Sequence, residues 1–235
     1  MSVLTRLAAA GAAMLALAPL LAGCGALRQV GVGSHDSPAK EFTVTGRVTS
    51  LVIHGGSGSV DVTGTSGSTV TVAQQASYSS TPPTASHVLR GTTLTVSYSC
   101  PTELLCGMSY VVQVPRDAAV SVSTTAGSVT LTSLAGPVSA RAAAGLITAV
   151  DLRCGVASFN SNAGGVIATF SAVPRSLTAS TNVGSITLIV PGSAAYKVST
   201  HTVVGTSTIT VRRSASSAYS ISARSDLGSI SVSPS

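Results

Sequence analysis

The 235 residues carry thirteen Lys and Arg against seven Asp and Glu, a net charge of +6, with 9% charged residues, 44% hydrophobic residues and no Trp. Low charge, abundant Gly, Ser, Thr, Val and Ala, and no long amphipathic pattern past the first 25 residues favour an all-β protein over a helical one. The basic residues are mostly Arg, scattered and never interleaved with aromatics. That argues against nucleic-acid binding and leaves two readings open: attraction to anionic membrane lipids or cell-wall polymers, or an even sprinkle of surface charge.

Residues 1–23 have the layout of an export signal. Arg6 gives a short basic start, and residues 7–21 form an apolar run too short for a comfortable membrane span. The run ends in Leu21-Ala22-Gly23-Cys24. This resembles the bacterial lipoprotein signal, as carried by actinobacterial-type lipoproteins. The resemblance implies that Cys24 is acylated on its thiol and becomes the mature N-terminus, with small residues before it admitting the peptidase. Buried lipid contributes about 0.8 kcal/mol per CH₂, so two or more chains hold a protein firmly. The expectation is an extracytoplasmic protein anchored to the cell membrane at Cys24; an ordinary secretory peptide with a coincidental Cys is the alternative. Residues 24–40 are polar, contain Gly, Ser and Pro38, and read as a lipid-anchored flexible tether, with order beginning near Glu41.

The rest, 41–235, reads as one domain: an N-terminal coil and cap over 41–118, then a repeat stack over 119–235. Leu51, Ile53, Gly58, Val60 and Val62 form an early copy of the repeat. The stretches 69–78, 88–99 and 109–114 look like longer alternating strands joined by a Ser/Pro turn at 79–83 and a loop from Cys100 to Cys106. They are expected to lie antiparallel over the N-terminal end of the stack, because an exposed terminal strand presents unpaired backbone groups.

From Val120 onward the pattern is regular. Gly127, Gly145, Gly164, Gly184, Gly205 and Gly228 stand 18, 19, 20, 21 and 23 residues apart. Seven residues before each glycine come Val120, Val138, Ala157, Leu177, Val198 and Ile221; three before come only small residues, Thr124, Ala142, Ser161, Thr181, Thr202 and Ser225. Two and four after come pairs such as Val129/Leu131, Ile147/Ala149 and Ile186/Leu188. Each unit therefore reads strand, tight turn at Gly, strand, with period-2 apolar positions on both sides. A unit near 20 residues that cannot bury its face alone implies a β-solenoid or β-helix-like stack. Ile230 and Val232 near the C-terminal end of the sequence suggest that the last unit is left uncapped. The loops between units lengthen from 132–137 to 210–219 and hold Arg153, Arg175, Lys197, Arg212 and Arg213, a candidate basic binding face.

Beyond Cys24, Cys100 and Cys106 bracket five residues, a spacing that suits a local disulfide; metal binding is the rival, but no second Cys/His pair accompanies them. Cys154 is left over, either a small buried thiol or an intermolecular bridge. The histidines are scattered, no Gly-x-Ser-x-Gly elbow occurs, and the seven acids are dispersed, so no catalytic, cofactor or metal set stands out.

Taken together, Gly127-Ser128-Val129, Gly184-Ser185-Ile186, Gly228-Ser229-Ile230 and the two-cysteine loop before Ser109-Tyr110-Val111-Val112-Gln113-Val114-Pro115 resemble the bacterial "putative adhesin" family of unknown function. The resemblance covers about 42–233. It implies a β-helical scaffold with a Gly-Asp-Val-like turn. Where that family places Asp after Gly, this chain has Ser128, Leu146, Gly165, Ser185, Thr206 and Ser229, so a cation-binding Asp ladder is missing. The expected function is a non-catalytic, lipid-anchored surface protein, an adhesin or binding scaffold, without cofactor. Its expected partners are the membrane through the lipid, and an envelope polymer or another surface protein. The alternatives are a β-helical enzyme acting on polysaccharide, and an architectural envelope protein that assembles through its C-terminal edge.

Overall fold

The computed structural model of the protein describes residues 35–101 and 105–235. Among them, twenty strands form two sheets and no helix occurs. The first eight strands are β1 (His35–Asp36), β2 (Lys40–Val44), β3 (Ser50–His54), β4 (Val60–Thr65), β5 (Val70–Tyr78), β6 (Thr84–Arg90), β7 (Thr93–Ser99) and β8 (Cys106–Pro115). Twelve more follow in pairs: β9 (Ala119–Ala126) with β10 (Val129–Thr132), β11 (Val138–Ala144) with β12 (Ile147–Leu152), and β13 (Val156–Ala163) with β14 (Val166–Phe170). Then come β15 (Ser176–Val183) with β16 (Ile186–Val190), β17 (Lys197–Val204) with β18 (Ser207–Ile209), and β19 (Ser220–Leu227) with β20 (Ile230–Pro234).

The first strand of each pair joins one sheet and the second joins the other. The orders are β17-β19-β15-β13-β11-β9-β3-β7-β6 and β1-β5-β8-β4-β10-β12-β14-β16-β20-β18, with β2 also on β5. Within the repeat all pairings are parallel and follow the sequence columns: Val138 lies between Val120 and Ala157, and Ile147 between Val129 and Val166. Alternation puts these apolar positions inward on both sheets, where they join one buried cluster.

The turns explain the small-residue column. Gly145 has φ +146° and Gly228 has φ +149°, the left-handed side that favours glycine, and a Cβ on either would run into the carbonyl of the glycine one unit below. Three residues earlier, a hydroxyl reaches the same carbonyl. Ser161 Oγ donates to Gly145 O (2.9 Å), Thr181 Oγ1 to Gly164 O (2.7 Å), Ser225 Oγ to Gly184 O (2.8 Å) and Thr202 Oγ1 to Gly228 O (2.9 Å). Ser161, Thr181 and Ser225 are buried, so each donation satisfies a hydroxyl that would otherwise be stranded. Thr124 is the exception: its Oγ1 is buried with no hydrogen-bond partner.

Four expectations need correction. The final unit is not at the open end. β19 pairs with β15 on one side and β17 on the other, and β20 sits between β16 and β18, so Ile230 and Val232 are fully buried. The outermost unit is β17/β18, in which Thr200 and Ser207 stand at columns that are mostly apolar elsewhere; a polar end unit is what a stack needs. The stretch 88–99 is a hairpin, β6 turning at Gly91 (φ +60°) into β7. β7 and β8 run parallel to β3 and β4 and extend the ladder, so only β1, β2, β5 and β6 are antiparallel additions. Lastly, part of the expected tether is ordered: His35 pairs with Tyr78 and Asp36 with Ser77.

The early copy is also the neighbour of the main repeat, since β3 pairs with β9 and β4 with β10. Residues 36–118 are thus threaded as an addition at one end. No helix among the described residues is long and apolar enough to cross a membrane. Cys24 and the export signal lie outside the described residues.

Candidate functional site: the loop edge

Each pair has a glycine turn on one edge and a longer connection to the next pair on the opposite edge. The connections 133–137, 153–155, 171–175, 191–196 and 210–219 share one structural rule. Each sends an apolar plug inward: Leu134 and Cys154 are fully buried, Val173 and Ala194 pack against the core, and Val211 is buried. Cys154 is therefore a core residue, and burial pushes its thiol up to about 11, far from the thiolate that reacts. Cys100 and Cys106 are joined as a disulfide (Sγ–Sγ 2.05 Å), well away from the plugs in sequence.

The five sequence-nominated cations all fall on this edge and are exposed, but they do different jobs. Arg153 Nε lies 4.0 Å from the Asp151 carboxylate. Asp151 takes a left-handed backbone (φ 53°), accepts a bond from Ser133 Oγ (2.9 Å), and is held below the usual carboxylate range by Ser171 and Ser133 hydroxyls and then by Arg153 and Arg116. Arg212 is spent on structure: its Nη2 donates to Ser193 O (2.6 Å) and Gly192 O (3.2 Å), tying 210–219 to 191–196. Arg175, Lys197 and Arg213 make no ion pair among the described residues, where the pairs are Arg153–Asp151 and Arg224–Asp226.

The two longest connections form one pinned assembly. Tyr196 N donates to Arg212 O (2.8 Å), Ser214 N to Tyr196 O (2.9 Å), and Lys197 N to Tyr219 O (2.8 Å). Tyr196 is fully buried and its hydroxyl donates to Pro191 O (2.8 Å); Ser217 Oγ donates to Ala195 O (2.7 Å) and accepts from Tyr219 N (3.0 Å). Between these loops is a recess of about 480 Å³ lined by Tyr196, Lys197, Val198, Arg213, Ser214 and Ala215. Tyr219 is 39% exposed as a residue, and its ring lies 6.3 Å from that of Tyr196. Ser220 N donates to Arg175 O (2.9 Å), which sets Arg175 at the start of β15 beside Tyr219 and Ser220.

Sequence reasoning found the cations and missed the tyrosines. A signal was present: Tyr196 and Tyr219 stand nine residues before Gly205 and Gly228, a column in which the other repeat units have Ala118, Gly136, Gly155 and Arg175. A second depression, about 290 Å³, runs over Val120, Val138 and Val156 with Ser121, Ser139 and Ser158 at its sides. It carries no charged group.

No protein-family model matches the chain, and no curated protein does. Among solved structures the chain is similar to a "putative cell adhesion protein" from Clostridium sporogenes, at 12% identity and TM-score 0.46, covering 84% of this chain and 100% of that one. It is likewise similar to a "putative adhesin" from Bacteroides fragilis (12% identity, TM-score 0.48, 84% and 97% covered). A "putative adhesin" from Parabacteroides distasonis gives 10% identity and TM-score 0.41, again with 84% and 97% covered.

Proposed function

We propose that the chain is a non-catalytic, lipid-anchored surface protein of adhesin-like type, a two-sheet β-solenoid serving as a rigid binding scaffold. The parallel registers and the glycine ladder support the solenoid reading: each pair adds one layer of about 4.8 Å to both sheets. The Leu21-Ala22-Gly23-Cys24 signal supports anchoring. The observation that carries the binding role is the asymmetry of the two edges. The glycine edge is uniform and backbone-locked, whereas the loop edge is individually shaped and displays Arg175, Lys197 and Arg213 without acidic partners among the described residues. Differing from unit to unit in charge and loop length, this edge is free to present contacts while the ladder holds them still.

The test is capture of isolated cell envelope by the full chain in mild detergent, with salt varied. Saturable capture that survives moderate salt is expected. Capture that disappears with salt reduces the interaction to charge attraction, and none at all removes the binding role.

A second reading, assembly through an end of the stack, has its own observation. β17 is an eight-residue edge strand whose Val203 and Val204 are 64% and 60% exposed. Sedimentation showing concentration-dependent association, abolished by Val203→Lys, would favour it.

A further inference from the structure

We infer that the recess between 191–197 and 210–219 binds an anionic polysaccharide, packing a sugar ring on Tyr219 and pairing its acidic groups with Lys197, Arg213 and Arg175. This deepens the binding-scaffold reading and rests on it.

Four observations converge there. First, the recess is preformed. Its two loops are fixed to each other by Arg212, Ser217, Tyr196 and Ser214 hydrogen bonds, so a ligand meets a shape already paid for in chain entropy. Second, Lys197 and Arg213 line it, and no acid does. Third, the charges are spaced rather than pooled. Lys197 is in register with Ser220 of β19, and Ser220 with Ser176 of β15, the residue after Arg175. Two strand spacings separate the backbones that carry them, roughly 9–10 Å. One small anion meets one end of that span; a chain with repeated acidic groups meets both. Fourth, the aromatic next to the recess lining is one tyrosine rather than a row of aromatics: Tyr219 is 39% exposed and its ring lies 6.3 Å from that of Tyr196, which lines the recess. The apolar face of Tyr219 suits the C–H face of a sugar and its hydroxyl the surrounding hydroxyls. A single ring gives no platform for successive nucleobases, and an acidic peptide would use the cations but leave the ring without a role.

The strand order is what makes the site. Because β19 enters between β15 and β17, Tyr219 at its start is carried to a place between Arg175 and Lys197. Stacked in chain order, Arg175 and Lys197 would be adjacent and Tyr219 outside them.

The experiment is calorimetric titration of the full chain in detergent with an oligogalacturonate. The controls are polyglutamate of equal charge, inorganic polyphosphate, and a neutral oligosaccharide of equal length. The expected result is saturable oligogalacturonate binding at least tenfold tighter than polyglutamate or polyphosphate, with no binding of the neutral sugar. Tyr219→Ala and the double variant Lys197→Gln, Arg213→Gln each weaken it at least tenfold; Tyr219→Phe retains it. The cations are exposed and make no ion pair among the described residues, so the melting temperature of the double variant stays at the parent value and marks the loss as one of contact. Equal affinity for all three polyanions, indifference to Tyr219→Ala, or no oligogalacturonate binding would each overturn the proposal. Envelope capture by the parent chain, set beside its oligogalacturonate binding, separates the two claims. If capture persists while oligogalacturonate binding is absent, the recess is wrong and the scaffold reading stands; if both vanish in the parent chain, the scaffold reading falls with it.

Discussion

The β19/β20 and β17/β18 units are built on the same columns and end up in opposite circumstances. In β19/β20, Ile221, Ala223, Ser225, Ile230 and Val232 are buried between two neighbours. In β17/β18, Val198, Thr200, Thr202 and Ile209 are only half-buried and Ser207 is exposed, because one side has no neighbour. The later unit in the chain is the inner one. The lesson is that position in the sequence and position in the ladder are separate variables, and that polarity at an inward column reports the second.

The largest expected effect comes from breaking the ladder at the inner unit. Gly228→Ala places a Cβ against the Gly184 carbonyl at φ +149°. Backbone strain of about 1–3 kcal/mol plus displacement of that carbonyl gives a loss of about 3 kcal/mol, or roughly 6–12 °C in melting temperature. Gly205→Ala meets the Gly228 carbonyl in the same way, but the outer unit frays alone, so the global melting temperature falls by less than half as much. Equal losses, or the larger loss at Gly205, would count against the inner placement.

Next come the inward side chains. Ile230→Ala removes a fully buried side chain and is expected to cost about 2–4 kcal/mol, against about 1 kcal/mol for Ile209→Ala in the outer unit, read by denaturant unfolding.

A finer comparison concerns the hydroxyl column. Thr181→Val removes a buried hydroxyl's donation to Gly164 O and leaves that carbonyl with one partner fewer, an expected loss of about 1–2 kcal/mol. Thr124→Val removes a hydroxyl that has no partner and keeps the shape, so it is expected to be neutral or stabilising. The same chemical change thus has opposite signs at two positions of one column, and denaturant midpoints decide it.

The smallest effect lies at the far end of the ladder. The His87 ring of β6 packs at a tilt against Phe42 of β2 (ring centroids 4.0 Å, 43° between planes), and its Nε2 meets Gln74 Oε1 of β5 at 2.8 Å, joining the two sheets. Partial burial lowers its pKa below 6.5, so the folded state favours the neutral ring. The contribution is therefore full above the unfolded value near 6.5 and is lost as pH falls below it, where the unfolded chain takes up the proton first. His87→Gln is expected to flatten that part of the stability–pH curve, measured by melting between pH 7.5 and 5.

Much of the fold was legible because it is written by backbone contact. The Gly127-to-Gly228 column, the inward Val, Leu and Ile positions and the small residue three before each glycine all follow from layers touching at one repeat distance, and each was readable as a period. What was not legible was the order of the layers. Parallel units with identical columns fit one another in any order, so nothing local distinguishes β15/β16 beside β19/β20 from β15/β16 beside β17/β18. The available clue was Thr200 and Ser207, polar at columns filled by Val, Ala or Ile in most other units. The hairpin inside 88–99 was hidden because Gly91 sits in an otherwise strand-like alternation. At the loop edge the cations were visible as residue types, but their division into spent and unspent required partners that sequence does not name: Asp151 for Arg153, and the Gly192 and Ser193 carbonyls for Arg212.

The central claim is that the β19/β20 unit lies between β15/β16 and β17/β18, since the recess depends on it. Cysteine cross-linking on the exposed face tests it directly. Thr178 of β15 is in register with Ser222 of β19, and Ser222 with Ser199 of β17. Adjacent strands place Cα atoms about 4.8 Å apart, within disulfide reach of about 4.4–6.8 Å. The account predicts that the double variant Thr178→Cys, Ser222→Cys cross-links on mild oxidation while Thr178→Cys, Ser199→Cys does not. Efficient cross-linking of the second pair and failure of the first would put the units in chain order and contradict it.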